Sequence, residues 1–426
     1  MARKMKDSGI EWIGEIPEWW SKNKCLRLFN VIGSGTTPKS LVSDESPSIN
    51  WIQSGDINGT LLFSCKNTIS ESTFSQYSAL KTYSAPFIII AMYGASIGNI
   101  SISFIDGCVN QACCVLSVPL CNLDYAFYAI KSAQFYLVQK AVGGGQPNIS
   151  QDTIKQLWIP QPSLAMQEAI ANSLNKACSH IDAILTKTRT SIEEYKKLKQ
   201  AVITQAVTKG VRGEREMKDS GVEWIGEINH RFSLIKLKYI CSILDQYRKP
   251  ISADKRSQSG SILYDYYGAS GAIDKIDDYT IDDHVMLIGE DGANLRMRNL
   301  PLMYEVNGKA WINNHAHILK PTERVDFYYL FYALEELDIN PYITGSAQPK
   351  LSQEKLQNIW VPLPDLEEQQ EIATYIRSKC AEIDKLVVKK EQLVKELESY
   401  KKSLIYEVVT GKREIFTDIT RKFPNI

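Results

Sequence analysis

Apolar positions recur along this chain on two different periods, and the longer period marks two helices. Ile181, Leu185, Ile192, Tyr195, Leu198 and Val202 follow one another at three- and four-residue steps or their sums, which predicts a helix over about 166–208. Ile383, Val387, Leu393, Leu397, Tyr400, Leu404 and Val408 repeat the spacing and predict a second helix over about 367–410. Charge flanks both stripes, as in Ser191-Ile-Glu-Glu-Tyr-Lys-Lys197 and Lys389-Lys-Glu-Gln-Leu-Val-Lys-Glu396. A stripe that narrow calls for one partner rather than burial all round, and the obvious partner is the other copy. Two unrelated amphipathic helices covering separate cores is the competing reading.

The remaining chain reads as short β-type runs broken by Gly, Asn, Asp and Pro. Residues 24–145 include Gly33-Ser-Gly-Thr-Thr-Pro-Lys39, Trp51-Ile-Gln-Ser-Gly-Asp56 and the apolar run Ala85–Tyr93. Residues 236–347 include Tyr247-Arg-Lys249, Tyr266-Tyr-Gly-Ala-Ser-Gly271, Val285–Asn294 and Trp311-Ile-Asn-Asn-His315. Each stretch suggests a small mixed α/β domain with a strongly bent sheet.

An internal repeat ties these pieces together. Met5-Lys-Asp-Ser-Gly-Ile-Glu-Trp-Ile-Gly-Glu-Ile16 returns as Met217–Ile228, differing only at Ile10 and Val222. Gln146-Pro147, Ser150-Gln151, Trp158, Pro160, Pro162, Leu164, Gln167 and Ile170 return as Gln348-Pro349, Ser352-Gln353, Trp360, Pro362, Pro364, Leu366, Gln369 and Ile372. The first match is offset by 212 positions and the second by 202, so the divergent stretch is ten residues shorter in the second half. The layout is α/β (α+β): variable domain over 1–163, helical spacer over 164–212, variable domain over 213–365 and helical spacer over 366–426. The paired prolines make a stiff, extended approach to each helix, and Gly210 and Gly411 stand where helix C-termini belong. About forty residues at ~1.5 Å each make a rod of about 60 Å. Two such rods packed antiparallel would relate the variable domains by a pseudo-two-fold axis.

Composition narrows the class. A chain of 426 residues exceeds one ordinary core. Its net charge is zero, which counts against indiscriminate coating of nucleic acid without excluding a reader whose basic residues share one face. Nine cysteines without a C-x-x-C pair fit a reducing compartment, and Cys113-Cys114-Val-Leu reads as a buried strand. The first residues lack a signal peptide's apolar core and no run is long enough to span a bilayer, so a cytoplasmic chain is expected.

DNA is the commonest target offering equivalent faces tens of ångströms apart, since its grooves return every ~34 Å. A ~60 Å spacer would limit the separation of two contact sites to roughly eighteen base pairs. Candidate readers are polar residues beside glycine, where backbone can approach a groove. In the first domain these are Thr36, Thr37, Lys39, Ser54, Asp56, Ser96, Asn110, Gln111 and Gln146. In the second they are Tyr247, Arg248, Lys249, Ser270, Asn294, Arg296, Arg298, Asn313, Asn314, His315 and Lys350. For each, the competing role is a turn residue satisfying its own backbone. Trp12, Trp158, Trp224 and Trp360 fall in the repeated segments and read as shared packing. His315-Ala-His317 lacks a third ligand, so no metal is expected there.

Catalytic signatures are missing from the sequence. Gly33-Ser-Gly35 is a fragment of a dinucleotide fingerprint without its third glycine, and there is no Walker A string. Asn340-Pro341-Tyr342 lacks the second proline of an amino-methyltransferase motif. No catalytic site and no cofactor are therefore assigned to this chain.

The doubled Met-Lys-Asp-Ser-Gly-Ile/Val-Glu-Trp-Ile-Gly-Glu-Ile, the Gly-Ser-Gly-Thr-Thr-Pro with Ile-Gln-Ser-Gly-Asp-Ile, and the twin Gln-Pro…Ser-Gln…Trp-Pro…Gln…Ile segments resemble the specificity subunits of type I restriction-modification systems. The resemblance covers nearly the whole chain. It implies two target recognition domains, each reading half of a bipartite DNA sequence, held apart by two helices acting as a ruler. It also implies that catalysis belongs to partners: two modification subunits that methylate adenine with S-adenosylmethionine, and restriction subunits that use ATP and Mg. Recognition residues vary with target in that family, so the reader positions rest on the residue argument alone. Rival readings are a single-chain DNA methyltransferase carrying its own recognition domain and a coiled-coil protein scaffold.

Overall fold

A computed structural model describes residues 4–38, 48–143, 145, 147–213, 216–253, 256 and 262–414. The chain divides into two units, Met1–Thr188 with Gln392–Ile426, and Arg189–Glu391.

In the first unit, a five-stranded sheet runs in the order Phe29–Gly33, Cys113–Pro119, Phe87–Ala91, Ile100–Ser103, Leu61–Leu62. A three-stranded sheet of Cys108–Val109, Ser48–Ile52 and Asn67–Ser70 lies beside it. The central strand Phe87-Ile-Ile-Ile-Ala91 is wholly buried because both of its faces are covered. Ile88 and Ile90 join the core under the helices, whereas Phe87, Ile89 and Ala91 pack with Ile52, Val109, Cys113 and Val115. Strict alternation along a strand sends neighbours to opposite faces, so one apolar run serves two cores. The run from Cys113 is the buried strand expected from its sequence.

The second unit carries one six-stranded sheet in the order Cys241–Ile243, Ala316–Pro321, Ile281–Gly289, Met303–Ile312, Tyr264–Gly268, Gly271–Ile276. It repeats the device: Met286 and Ile288 face the helix-side core, Val285 and Leu287 the other.

The long helices span Leu164–Lys209 and Leu366–Val409. Ile170, Leu174, Ile181 and Leu185 of the first join Leu397, Leu404 and Val408 of the second in the first unit's core. In the second unit, Ile203, Ala206 and Val207 share a core with Ile372, Ala373 and Ile376. Leu198 departs from the expected stripe: it is 48% exposed. The buried line passes from Ile192 to Ile203, and Leu198 turns outward between them. Gly210 and Gly411, both at positive φ, follow the last turns.

The repeated residues beside the helices explain themselves locally. Strand Trp158–Gln161 pairs with Ser21–Lys24, and Trp360–Leu363 with Ser233–Lys236. Lysines lie over both indoles, Lys22 and Lys24 over Trp158 and Lys236 over Trp360. The buried amide of Gln167 donates to Pro162 O (2.9 Å) and accepts from Asn122 N (3.0 Å), while Gln369 donates to Pro364 O (3.0 Å) and accepts from Asp326 N (2.8 Å). Asn122 and Asp326 are themselves the N-caps of helices Leu123–Ser132 and Phe327–Glu336.

Candidate nucleic-acid interface

In the first domain the described candidates gather at one end of the sheets. Cys113 lies opposite Ala91 and Val115 opposite Gly33, so the chain leaves Gly33 and Ala91 where it enters Cys113. Val109 pairs with Ile52, which brings Gln53 and Asn110 to the same place. Side chains fasten these loops together. Ser96 donates to Ser54 O (2.7 Å), Trp51 Nε1 to Thr36 O (3.3 Å), and the Thr37 hydroxyl to Gln111 Oε1. Asn148 is drawn in by bridges to Tyr93 and Val142.

Two more of these residues are occupied by the fold. Asp56 accepts from Gln53 N (2.8 Å) and Lys66 N (3.3 Å), closing its own turn. Asn110 Oδ1 accepts from Ala112 N at 3.1 Å. Thr37 and Gln111 are exposed on the outer side of the same loops. Lys39 and Gln146 lie outside the described residues.

The second domain has a more strongly charged counterpart. Gly289 pairs with Ala316, so Glu290 emerges beside Asn313–His315; Glu290 N donates to His315 O at 2.8 Å. Lys249 N donates to Ile312 O (2.9 Å), Gly292 N to Pro349 O (3.1 Å) and Leu351 N to Glu290 O (2.8 Å). Gly289 admits this crowding because a Cβ there would meet Ala269 O at 2.7 Å, which places the turn bearing Ser270 against the same loops. Tyr247, Lys249, Ser270, Asn314, His315 and Lys350 are exposed around the resulting face.

Arg248 is turned inward instead. Its guanidinium meets Glu290 Oε2 (2.5 Å), Asp245 Oδ2 (3.1 Å) and Asn314 O (3.2 Å). Asn313 Oδ1 accepts from His315 N (2.8 Å), and His315 Nδ1 lies 2.8 Å from Asp291 Oδ2. Asn294 ties down the loop after it through Leu300 and Pro301, Arg296 reaches Gly345 O (3.3 Å), and the Arg298 guanidinium donates to Glu335 O. These three residues therefore shape the 292–302 loop.

Sequence reasoning missed the acids. Asp245, Glu290 and Asp291 hold the basic candidates in place, and His317 is fully buried among them. Burial opposes ionisation of Glu290, yet hydrogen bonds from Arg248 and Lys350 outweigh it and keep the carboxyl below its ordinary range. The one available signal was proximity, since Asp245 precedes Arg248 by three positions and Glu290-Asp291 sits beside a glycine. Among the described residues, no group of three or more His, Cys, Asp or Glu is placed to hold a metal ion, and no helix is long and apolar enough to cross a membrane.

Two mixed α/β domains, each with a polar loop-bearing sheet end and each followed by a long helix, make a tandem repeat of one architecture. The chain belongs to the type I restriction modification DNA specificity domain family, whose profile matches residues 17–194 and again residues 230–395. A type I restriction enzyme specificity subunit of Haemophilus influenzae is 32% identical over 168 residues, 39% of this chain and 40% of that protein. The MjaX specificity subunit of Methanocaldococcus jannaschii is 26% identical over 441 aligned positions, 95% of this chain and 96% of that protein. The fold resembles a solved chain from work on complex assembly and conformational transition of the type I R-M system, with a TM-score of 0.72 at 15% identity over 93% of this chain and 99% of that one.

Proposed function

We propose that each domain reads one half of a bipartite double-stranded DNA target, and that the chain thereby directs the other subunits of a type I restriction enzyme to that sequence. The observation that carries this reading is the occurrence, in each of two family domains, of a sheet end where several loops converge and present polar side chains outward. Those loops differ between the domains, with Thr37 and Gln111 in one and Tyr247, Lys249, Asn314, His315 and Lys350 in the other. Two unlike faces call for two unlike half-sites.

Catalysis falls to partners in this proposal. Two modification subunits methylate adenine using S-adenosylmethionine, and restriction subunits use ATP and Mg; this chain holds none of those cofactors. The doubled Met5–Ile16 and Met217–Ile228 segments support two similar docking sites and hence two modification subunits.

The test is co-expression with the modification subunit encoded beside it, followed by mapping of methylated adenines across the host genome by single-molecule sequencing. A split motif with two unlike halves and a fixed gap is expected. No methylation from a stable complex that still binds S-adenosylmethionine would overturn the reading.

A further inference from the structure

Beneath the exposed face of the second domain runs a chain of alternating charges. Lys350 Nζ lies 3.1 Å from Glu290 Oε1, and Glu290 Oε2 lies 2.5 Å from Arg248 Nη1. Arg248 Nη2 lies 3.1 Å from Asp245 Oδ2, which lies 2.6 Å from His317 Nδ1. At the far side His317 Nε2 is 2.8 Å from Leu351 O. The histidine is 1% exposed, while Asp245, Glu290 and Arg248 are 10%, 15% and 17% exposed at their side chains.

Together the links tie several segments of the chain. Asp245 and Arg248 belong to the turn after strand Cys241–Ile243, and Asp245 Oδ1 also accepts from Ile318 N at 3.1 Å. Glu290 follows strand Ile281–Gly289, His317 sits within strand Ala316–Pro321 opposite Ile288, and Lys350 and Leu351 come from the segment after Thr344. Asp291 and His315 form an outer pair beside this chain. Burying this many charges costs free energy unless every partner is in place, so the network has one strongly preferred geometry.

His317 Nδ1 faces the Asp245 carboxylate and Nε2 the Leu351 carbonyl, so the ring spans the distance between the two. An imidazole carries a hydrogen-bonding nitrogen on two sides of one rigid ring. It joins the 245–249 loop, which carries Tyr247 and Lys249, to the 348–351 segment, which carries Lys350.

We infer that His317, with Asp245, is a specificity-positioning residue: it sets the register of the loops with which the second domain reads its half-site, without touching DNA. This inference rests on the DNA-reading function proposed above. A buried, two-way tie of this kind acts on the precision of the exposed side chains above it, since a base edge is discriminated only when its partner stands in hydrogen-bond register.

The experiment compares wild type, His317→Gln and Asp245→Asn, each co-expressed with the modification subunit and read by genome-wide adenine-methylation mapping. Both variants keep the first half-site unchanged and tolerate additional bases at one or more positions of the second, with methylation of the wild-type motif at least tenfold slower in purified complexes. Retention of the second half-site unaltered in both variants would overturn the inference. Asp245→Asn is nearly isosteric, so it carries the test should His317→Gln fail to accumulate. A merely structural role would lower methylation at the unchanged motif, or lose the complex, without relaxing one half-site, and that result also overturns it. Absence of any bipartite motif in the wild type would instead sink the DNA-reading function.

Discussion

Lys401 Nζ sits 2.5 and 2.7 Å from the two carboxylate oxygens of Asp182, bridging the long helices in the first unit. The second unit contains its counterpart with the helices exchanged: Lys199 Nζ is 2.8 Å from both oxygens of Asp384. Asp182 and Asp384 stand 202 positions apart, as do Lys199 and Lys401, the offset already seen in the repeat. The same aspartate-lysine pair therefore fixes the helix register inside each unit.

These bridges are partly exposed, Asp182 by 51%, so their worth is in register more than in stability. Replacing Asp182 by Asn should cost about 0.5 kcal/mol, and a double-mutant cycle with Lys401→Met should return a coupling of about that size. Denaturant titrations at low and high salt supply the check, with the coupling shrinking as salt rises. A coupling beyond about 2 kcal/mol would mean the pair is effectively desolvated.

Gln167 and Gln369 are a different case, because both are buried and each serves a cap. Changing Gln369 to Leu leaves the Asp326 N–H and the Pro364 carbonyl without their side-chain partner. The expected loss is about 1–3 kcal/mol, read as a lower urea midpoint at unchanged slope. The matching change at Gln167 should destabilise the first unit by a similar amount.

How much of this was legible in the sequence follows from the range of each interaction. The helices were, because their signal is local: 166–208 and 367–410 were expected against Leu164–Lys209 and Leu366–Val409. Sheet order was not, since Phe29–Gly33 finds its neighbour at Cys113–Pro119 and Ser21–Lys24 at Trp158–Gln161, and nothing in an alternating pattern names its partner. The candidate readers are legible only as polar residues beside glycine, and which of them face outward depends on acids far along the chain. Arg248 reads as a free cation until Glu290, forty-two positions on, is folded against it. Leu198 fits the helical spacing yet is exposed, because spacing alone does not say where a stripe drifts off the contact line.

Glu336 supplies a pH prediction. It closes helix Phe327–Glu336, and burial, reinforced by the neighbouring Glu335, pushes its carboxyl up to about 7. A carboxyl raised in the folded state is more readily protonated there than in the unfolded chain. Its contribution to stability is therefore full at acid pH and is lost as pH rises through about 4.5 to 7. Glu336→Gln removes that loss, so at pH 8 the variant should be more stable than wild type by about 1–2 kcal/mol after allowance for solvent screening. Below about pH 4.5 the two should converge. Thermal melts across this range decide it, and a variant less stable than wild type at pH 8 would show that Glu336 is held as a useful anion.

Each sheet core is built from residues of its own divergent stretch, and this gives the sharpest functional prediction. Ile52, Phe87, Ile89, Val109, Cys113 and Val115 pack among residues of the first divergent stretch, while Val285, Leu287, Val306, Ile312 and Ile318 pack among those of the second. A transplant of residues 24–145 from a relative keeps its own inter-sheet core and needs to match only the helix-facing positions, such as Ile88, Ile90, Tyr125 and Ala129. The chimera should fold and assemble. In methylation mapping it should exchange one half of the recognised sequence while the other half and the gap stay as they were. A change in both halves would mean that the domains influence one another's reading through more than the helices, and the one-domain, one-half-site assignment would have to be abandoned.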